Sequence, residues 1–190
     1  MTTTIHRLFY DGTYALEELS IEVSSRCASR CIHCSSGASI LAGDDMDPEF
    51  AKDLISQAAK LGATVLSLSG GDPIIYPYTA DLIVHADAVG FERILVYTSG
   101  VMAVGIDSTI MHSRLNIDKV YNKNMIPADV LDIALPQYMF WGVSPHMTAK
   151  VVPIYSLHSA YPIVHDYIVG VRNAWEYAIA QIEYLALDCG

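Results

Sequence analysis

The sequence predicts an α/β fold built on a parallel sheet. Short apolar, β-branched runs alternate with helix-patterned segments four times along the chain. That alternation is the signature of βα units joined by right-handed crossovers. Hydrophobic residues make up 52% of the chain and charged residues only 17%, a balance suited to strands buried on both faces. The unusual residues also fall just after the strands, where parallel sheets gather their chemistry.

Residues 1 to 16 lead into the first strand, about Glu18 to Ser25, with Leu19-Ser20-Ile21-Glu22-Val23 as its apolar body. A cysteine loop and the Ser/Gly-rich stretch Ser35-Ser36-Gly37-Ala38-Ser39 follow. The first helix has a clear start, with Asp47 as N-cap, Pro48 at the first helical position and Glu49 at the positive end. Phe50, Leu54, Ile55, Ala58 and Ala59 recur at helical spacing, and Gly62 stops the run. The second strand, Ala63 to Ser69, ends in Gly70-Gly71-Asp72-Pro73. Tyr78 to Val89 forms the second helix, stopped at Gly90.

The third strand, Arg93 to Tyr97, ends in Thr98-Ser99-Gly100. Val101 to Met125 shows no periodicity and reads as a long active-site loop, since loops of that length are seldom idle. Asp107, His112, Arg114 and Tyr121 could meet a substrate there, with a solvated face as the plainer reading. Pro127 to about Trp141 is expected to be a helix that Pro136 interrupts or ends. Lys150 to Ser156 is the fourth strand, provided that Pro153 falls where no ladder donor is needed. The last helix runs from about Val171 to Leu187, with Trp175, Ala178, Ile179, Ile182 and Leu185 on one face.

Composition narrows the function. A chain of 190 residues is one domain's worth of core. Its net charge of −10 disfavours a nucleic-acid backbone as the main partner. No apolar run is long enough to span a bilayer, and Met1-Thr2-Thr3-Thr4 does not open a signal peptide. Three clustered cysteines with Cys189 left over do not make a disulfide framework, so the expected compartment is the reducing cytoplasm.

The chemistry gathers at Cys27, Cys31 and Cys34. A loop with that spacing can bring three thiolates together without help from distant chain. Buried core thiols are the plain alternative. A tetrahedral zinc site would need a fourth ligand, and His33 is the near candidate, but it adjoins Cys34 and the two would struggle to reach one small ion. Three thiolates on a cubane of four irons leave one iron open, where chemistry can occur.

The three cysteines, with Gly70-Gly71-Asp72-Pro73 one βα unit later, resemble the radical S-adenosylmethionine (SAM) superfamily. The resemblance implies a partial (β/α) barrel, of which residues 18 to 190 supply about four of roughly six βα units. The whole chain, 1 to 190, would then be a single core domain lacking the last units. It implies that Cys27, Cys31 and Cys34 ligate a [4Fe–4S] cluster and that the open iron binds SAM. Gly70, Gly71, Asp72 and Pro73 would meet the SAM amino group, with Asp where the family has Glu. His33 would lie near the adenine, Ser99 would hold the place of the Asn in a Thr-Asn-Gly, and Ser156 would face the ribose or carboxylate. His165-Asp166 with Gly170 and Arg172 resembles a feature of peptide-modifying members, although a capped helix start explains the same residues.

The implied activity is reductive cleavage of SAM to a 5′-deoxyadenosyl radical for C–H abstraction. The electron donor would be a flavodoxin or ferredoxin, and the substrate a small molecule or peptide, in peptide or cofactor maturation. Two other readings stay open: a truncated, partner-dependent or non-catalytic iron–sulfur/SAM-binding protein, and a zinc module.

Overall fold

The computed structural model describes residues 16–101 and 147–188, with side chains through residue 183. The long loop after Val101, the helix expected over 127–141 and Cys189 lie outside the described residues. Within them the strands are β1 (Glu18–Ser24), β2 (Val65–Gly70), β3 (Arg93–Thr98) and β4 (Lys150–Tyr155). They form one parallel sheet in the order β1-β2-β3-β4. Helices α1 (Pro48–Lys60) and α2 (Thr79–Ala88) form the first two crossovers. After β4 come α3 (Pro162–Val169) and α4 (Ala174–Asp188).

The core forms where sheet and helices meet. Val65, Leu66, Ser67 and Leu68 are all buried in β2, as a central parallel strand covered on both faces requires. Ile21, Val23, Ile55, Leu82, Phe91, Ile94 and Val96 pack around them. Asp47 caps α1, its side chain accepting from the Phe50 N–H at 2.9 Å. The buried face of α1 is Ala51, Ile55 and Ala58, one residue round from the expected stripe, and Phe50 is 55% exposed. The alanines allow close approach to the sheet, while the first-turn Phe50 lies beyond its edge of contact.

Pro153 meets its condition. Lys150 N–H donates to Glu92 O at 2.8 Å and Ser156 N–H to Thr98 O at 2.9 Å. The even-numbered residues of β4 therefore turn their backbone groups toward β3, since in a parallel strand alternate residues face alternate neighbours. Pro153 is an odd position, so its missing N–H faces away from β3, toward the edge that no strand pairs with among the described residues, where it breaks no ladder bond.

The region after β4 differs from expectation. The last helix begins at Ala174, close to the expected Val171, and a further helix, α3, precedes it across a tight elbow. Gly170, at φ +68°, ends α3 in the left-handed conformation. Asp166 then accepts from Asn173 N–H at 2.6 Å and Trp175 N–H at 3.0 Å, which caps the start of α4. The buried stripe of α4 is Ala174, Ala178 and Gln181, with Trp175, Ile179 and Ile182 half-buried beside it. Small residues lead because α4 crosses close to the end of β3. Among the described residues no helix is long and apolar enough to cross a membrane.

Asp87 ties the return into β4 to the end of α2. Its Oδ1 accepts from Thr148 N–H (2.9 Å), Thr148 Oγ1 (3.0 Å) and Ala149 N–H (2.7 Å). Burial pushes the carboxyl up, but these bonds prevail and hold it below its ordinary value. A carboxyl lowered by folding stabilises above its unfolded pKa of about 3.9, and that stability is lost as pH falls through the folded value. Asp87→Asn should lower the urea midpoint at neutral pH and flatten its decline below about pH 4. An acid limb identical to the wild type would refute this role.

Candidate functional site

The cysteine loop leaves β1 and is held from three sides. The first support is the turn after β2. Gly71 N–H donates to Ser24 O at 2.6 Å, and Asp72 N–H donates to Arg26 O at 2.7 Å. A Cβ on Gly71 would stand 2.0 Å from Arg26 O, and one on Gly70, at φ +118°, 2.4 Å from Ser24 O. Both glycines are thus required by the chain's own backbone, since only a residue without Cβ permits that approach. The resemblance links this turn to SAM; the structure gives it a second duty, holding the start of the cysteine loop.

The second support is the end of α3. Arg30 N–H donates to Val169 O at 2.8 Å and Ile32 N–H to Ile168 O at 2.9 Å, so the loop satisfies carbonyls that a helix end leaves without partners. Gly170 is close enough to Arg30 that a Cβ there would lie 2.8 Å from its carbonyl oxygen. The third support is the strap at Asp44 and Asp45. Ser25 N–H donates to Asp44 O at 2.8 Å, Ser24 Oγ donates to Asp45 at 2.7 Å, and Arg26 pairs with Asp45 at 3.0 Å.

On this scaffold Cys27 is buried, Cys31 half-buried and Cys34 exposed, all three as free thiols. Burial pushes the Cys27 thiol up to about 11, with the Asp72 charge adding and the Ser29 hydrogen bonds opposing. Cys31 is raised by burial and then by Cys34. Cys27 and Cys31 are therefore each near enough to a neighbouring thiol to feel its charge. Among the described residues no three His, Cys, Asp or Glu side chains gather tightly enough to hold a single metal ion. A cubane that takes each thiolate on a different iron does not need them to.

Asp72 joins the strand ends. Its Oδ2 accepts from Thr98 Oγ1 (3.0 Å), Ser99 N–H (3.0 Å) and Ser99 Oγ (2.8 Å), and its Oδ1 accepts from Ile74 N–H at 3.2 Å. Burial raises its carboxyl, and these four bonds pull the other way. Pro73 opens the 3₁₀ turn Pro73–Ile75, and its carbonyl accepts from the Thr79 hydroxyl. Ser156 follows β4 and continues its pairing with β3 through the Ser156 N–H. Tyr155 Oη donates to Gln181 Oε1 at 3.1 Å, and Gln181 Nε2 donates to Gly100 O at 2.6 Å, so α4 is tied to the ends of both β3 and β4.

Two histidines that the sequence reading did not place beside His33 complete the rim. The His33 and His158 rings meet edge to face with centroids 4.5 Å apart, and His158 stacks on His165 at 5.8 Å. His158 N–H donates to His165 Nδ1 at 3.2 Å, which leaves the His165 proton on Nε2. Burial lowers the pKa of both, and for His158 the other two rings add to the effect. Their positions after β4 were the available signal.

All the expected site residues, Cys27, Cys31, His33, Cys34, Gly70 to Pro73, Ser99 and Ser156, therefore converge at the C-terminal end of the sheet. Their surroundings also suit an iron–sulfur group. Among the described residues, Arg26 Nε, Ser29 Oγ, His165 Nε2 and Trp175 Nε1 are buried without a hydrogen-bond partner. All four can donate. Arg26 and Ser29 flank Cys27, and the other two lie on the helices behind the loop. Orphaned buried donors on the cysteine loop fit an acceptor-rich group such as cluster sulfides or a carboxylate.

The close approach at Gly71 can be tested directly. Gly71→Ala should destabilise the fold by about 1–3 kcal/mol through overpacking against Arg26. Gly43→Ala, which points a Cβ into open space, should lie within about 0.5 kcal/mol of wild type. Equal urea midpoints for the two variants would sink the packing argument.

Residues 21–109 match the family model of the radical SAM superfamily. A probable GTP 3′,8-cyclase of Methanothermobacter marburgensis is 30% identical over 87 residues, which are 46% of this chain and 28% of that protein. A PqqA peptide cyclase of Streptomyces rochei is 35% identical over 103 residues, 53% of this chain and 27% of that protein. The chain thus spans less than a third of the length of these relatives. The fold resembles that of Streptococcus suis SuiB bound to S-adenosylmethionine, with TM-score 0.56 and 15% identity over 88% of this chain and 31% of that one. SuiB bound to its precursor peptide SuiA gives TM-score 0.56 over 85% of this chain and 29% of that one. The matched segment, which carries the cysteine loop, the Gly-Gly-Asp-Pro turn and the first three strands, is thus similar to the radical SAM superfamily.

Proposed function

We propose that the chain is a radical SAM enzyme in which Cys27, Cys31 and Cys34 ligate a [4Fe–4S] cluster. The observation that carries this reading is the triply braced loop with its three free thiols, which itself holds two buried donors without an acceptor, on Arg26 and Ser29. When bound and reduced, such a cluster supplies one electron to SAM and yields methionine and a 5′-deoxyadenosyl radical able to abstract hydrogen from a C–H bond. The chain's own part is to bind, orient and exclude water. Cys27, pinned between β2 and α3, fixes the deepest ligand, while the exposed Cys34 marks the side open to solvent.

The backbone of Gly70 to Pro73 would hold the amino end of SAM, and His33 would lie against its adenine. Ser156, at the end of β4, would face its ribose or carboxylate. Ser99 is already bonded to Asp72, so its share in SAM binding would be to keep the strand ends together. The substrate class favoured is a peptide, supported by the PqqA peptide cyclases and by SuiB with SuiA among the similar proteins. A flavodoxin or ferredoxin would supply the electron. Free thiols throughout the loop suit the reducing cytoplasm. Among the described residues no strand pairs with the outer edge of β4, which favours a second reading, in which the cluster forms but turnover needs a partner chain to cover that edge.

Anaerobic reconstitution separates these readings. About four irons per chain with matching sulfide, a reduced spectrum that changes on adding SAM, and release of 5′-deoxyadenosine are the expected results. Cys31→Ala should abolish all three. A cluster indifferent to SAM would favour the partner-dependent reading. Zinc in place of iron and sulfide would end the radical reading.

A further inference from the structure

Resting on the cluster reading above, we infer that the buried Ser29 hydroxyl donates a hydrogen bond to the sulfur atoms at the Cys27 corner of the cluster, and that this bond raises the reduction potential. Two features of the structure support this: a donor left without an acceptor, and the attachment of its residue to a thiol.

The first is the hydroxyl itself. Ser29 is 1% exposed, and its Oγ has no hydrogen-bond partner among the described residues. A buried hydroxyl without a partner destabilises the chain that carries it, and native structures keep few of them. The surrounding loop is also held in place. Arg30 N–H, on the next residue, donates to Val169 O at 2.8 Å, and Ala28, on the residue before, packs with Val101, Val169 and Ala174. Ser29 is thus fixed from both sides, and its hydroxyl stays where it is.

The second feature ties this donor to a sulfur. Ser29 N–H donates to Cys27 Sγ at 3.4 Å, so the residue is wrapped onto the deepest thiol, and only Cα and Cβ separate the hydroxyl from that amide. Among the four buried donors without partners, Ser29 is the residue whose own backbone bonds to a proposed ligand. A thiol sulfur is a weak acceptor, whereas a thiolate or sulfide carries charge and accepts far better. The hydroxyl therefore gains its partner when the ligands are ionised. Hydrogen bonds to the sulfurs are among the factors that set the potential of such a group. The added electron makes those sulfurs more negative, so a donor beside them stabilises the reduced form and moves the potential to more positive values. Ser29 thereby eases the arrival of an electron from the protein reductant.

A spectroscopically monitored redox titration of the reconstituted full chain reads this bond apart from turnover. At equal iron and sulfide content, Ser29→Ala should shift the potential to more negative values, and Ser29→Thr, which keeps the hydroxyl, should stay near wild type. A Ser29→Ala potential equal to or above the wild-type value overturns the inference. A Ser29→Thr shift as large as that of Ser29→Ala assigns the effect to packing and overturns it as well. Should Ser29→Ala take up no cluster, urea unfolding of the cluster-free chains decides. There the hydroxyl has no acceptor, so a Ser29→Ala midpoint equal to or above wild type is expected, and a lower one overturns the inference, because the hydroxyl then serves the chain's own packing. A wild-type chain that binds neither iron nor sulfide would remove the functional reading itself, an outcome distinct from these.

Discussion

The structure depends on the approach of one turn to one loop. Where β2 ends, Gly70 and Gly71 come so near the backbone of Ser24 to Arg26 that no side chain could stand between them. Everything at the site follows from this contact. It draws the exit of β1 against the exit of β2, buries Cys27, and directs Asp72 toward the end of β3. A loop rich in polar backbone would otherwise stay solvated and mobile, because burying unpaired amides is costly. Here its N–H and carbonyl groups are taken up by the Gly-Gly turn, by the carbonyl end of α3 and by the Asp44–Asp45 strap.

The two ends of the molecule are built on different principles. Away from the site, the sheet is held by apolar burial of Leu66, Leu68, Ile94 and Ile55, which is non-directional and tolerates repacking. At the site, polar joints of fixed geometry take over: Asp72 to Thr98 and Ser99, Tyr155 to Gln181 to Gly100, and His158 to His165. Directional bonds suit a place where ligands must converge, because they fix orientation as well as distance. The cost is a set of buried donors left without acceptors. That cost makes sense where an acceptor-rich group is expected to arrive.

How much of this could be read from the sequence varied with the range of the interaction. The strands of the sheet, the Asp47 cap and the position of every candidate ligand follow from local pattern, because alternation, capping and turn residues act within a few positions. The tolerance of Pro153 also followed, once the parity of β4 was known. What escaped was set by packing between distant segments. The helix α3 ahead of the expected last helix, and the elbow at Gly170 that joins the two, depend on Asp166 reaching forward to Asn173 and Trp175. The stripe of α4 falls on Ala174, Ala178 and Gln181 because the helix lies against Gly100 and Tyr155. Neither the partner nor the distance is encoded in the period.

The same limit applies to the Gly-Gly-Asp-Pro turn, and there it changes what the motif means. Read as a string, two glycines and an acid suggest a cradle for a ligand. In the fold, the glycines meet the chain's own backbone and the acid meets the end of the next strand, so the turn first builds the loop that carries the thiols. These duties are compatible. The Gly71 and Asp72 N–H groups are committed to Ser24 and Arg26, so under the proposed function only the turn's remaining backbone surface would be open to SAM. A substitution in this turn therefore acts on the cysteine loop before it acts on any ligand. Loss of SAM binding in such a variant would report on the cysteines as much as on the turn itself.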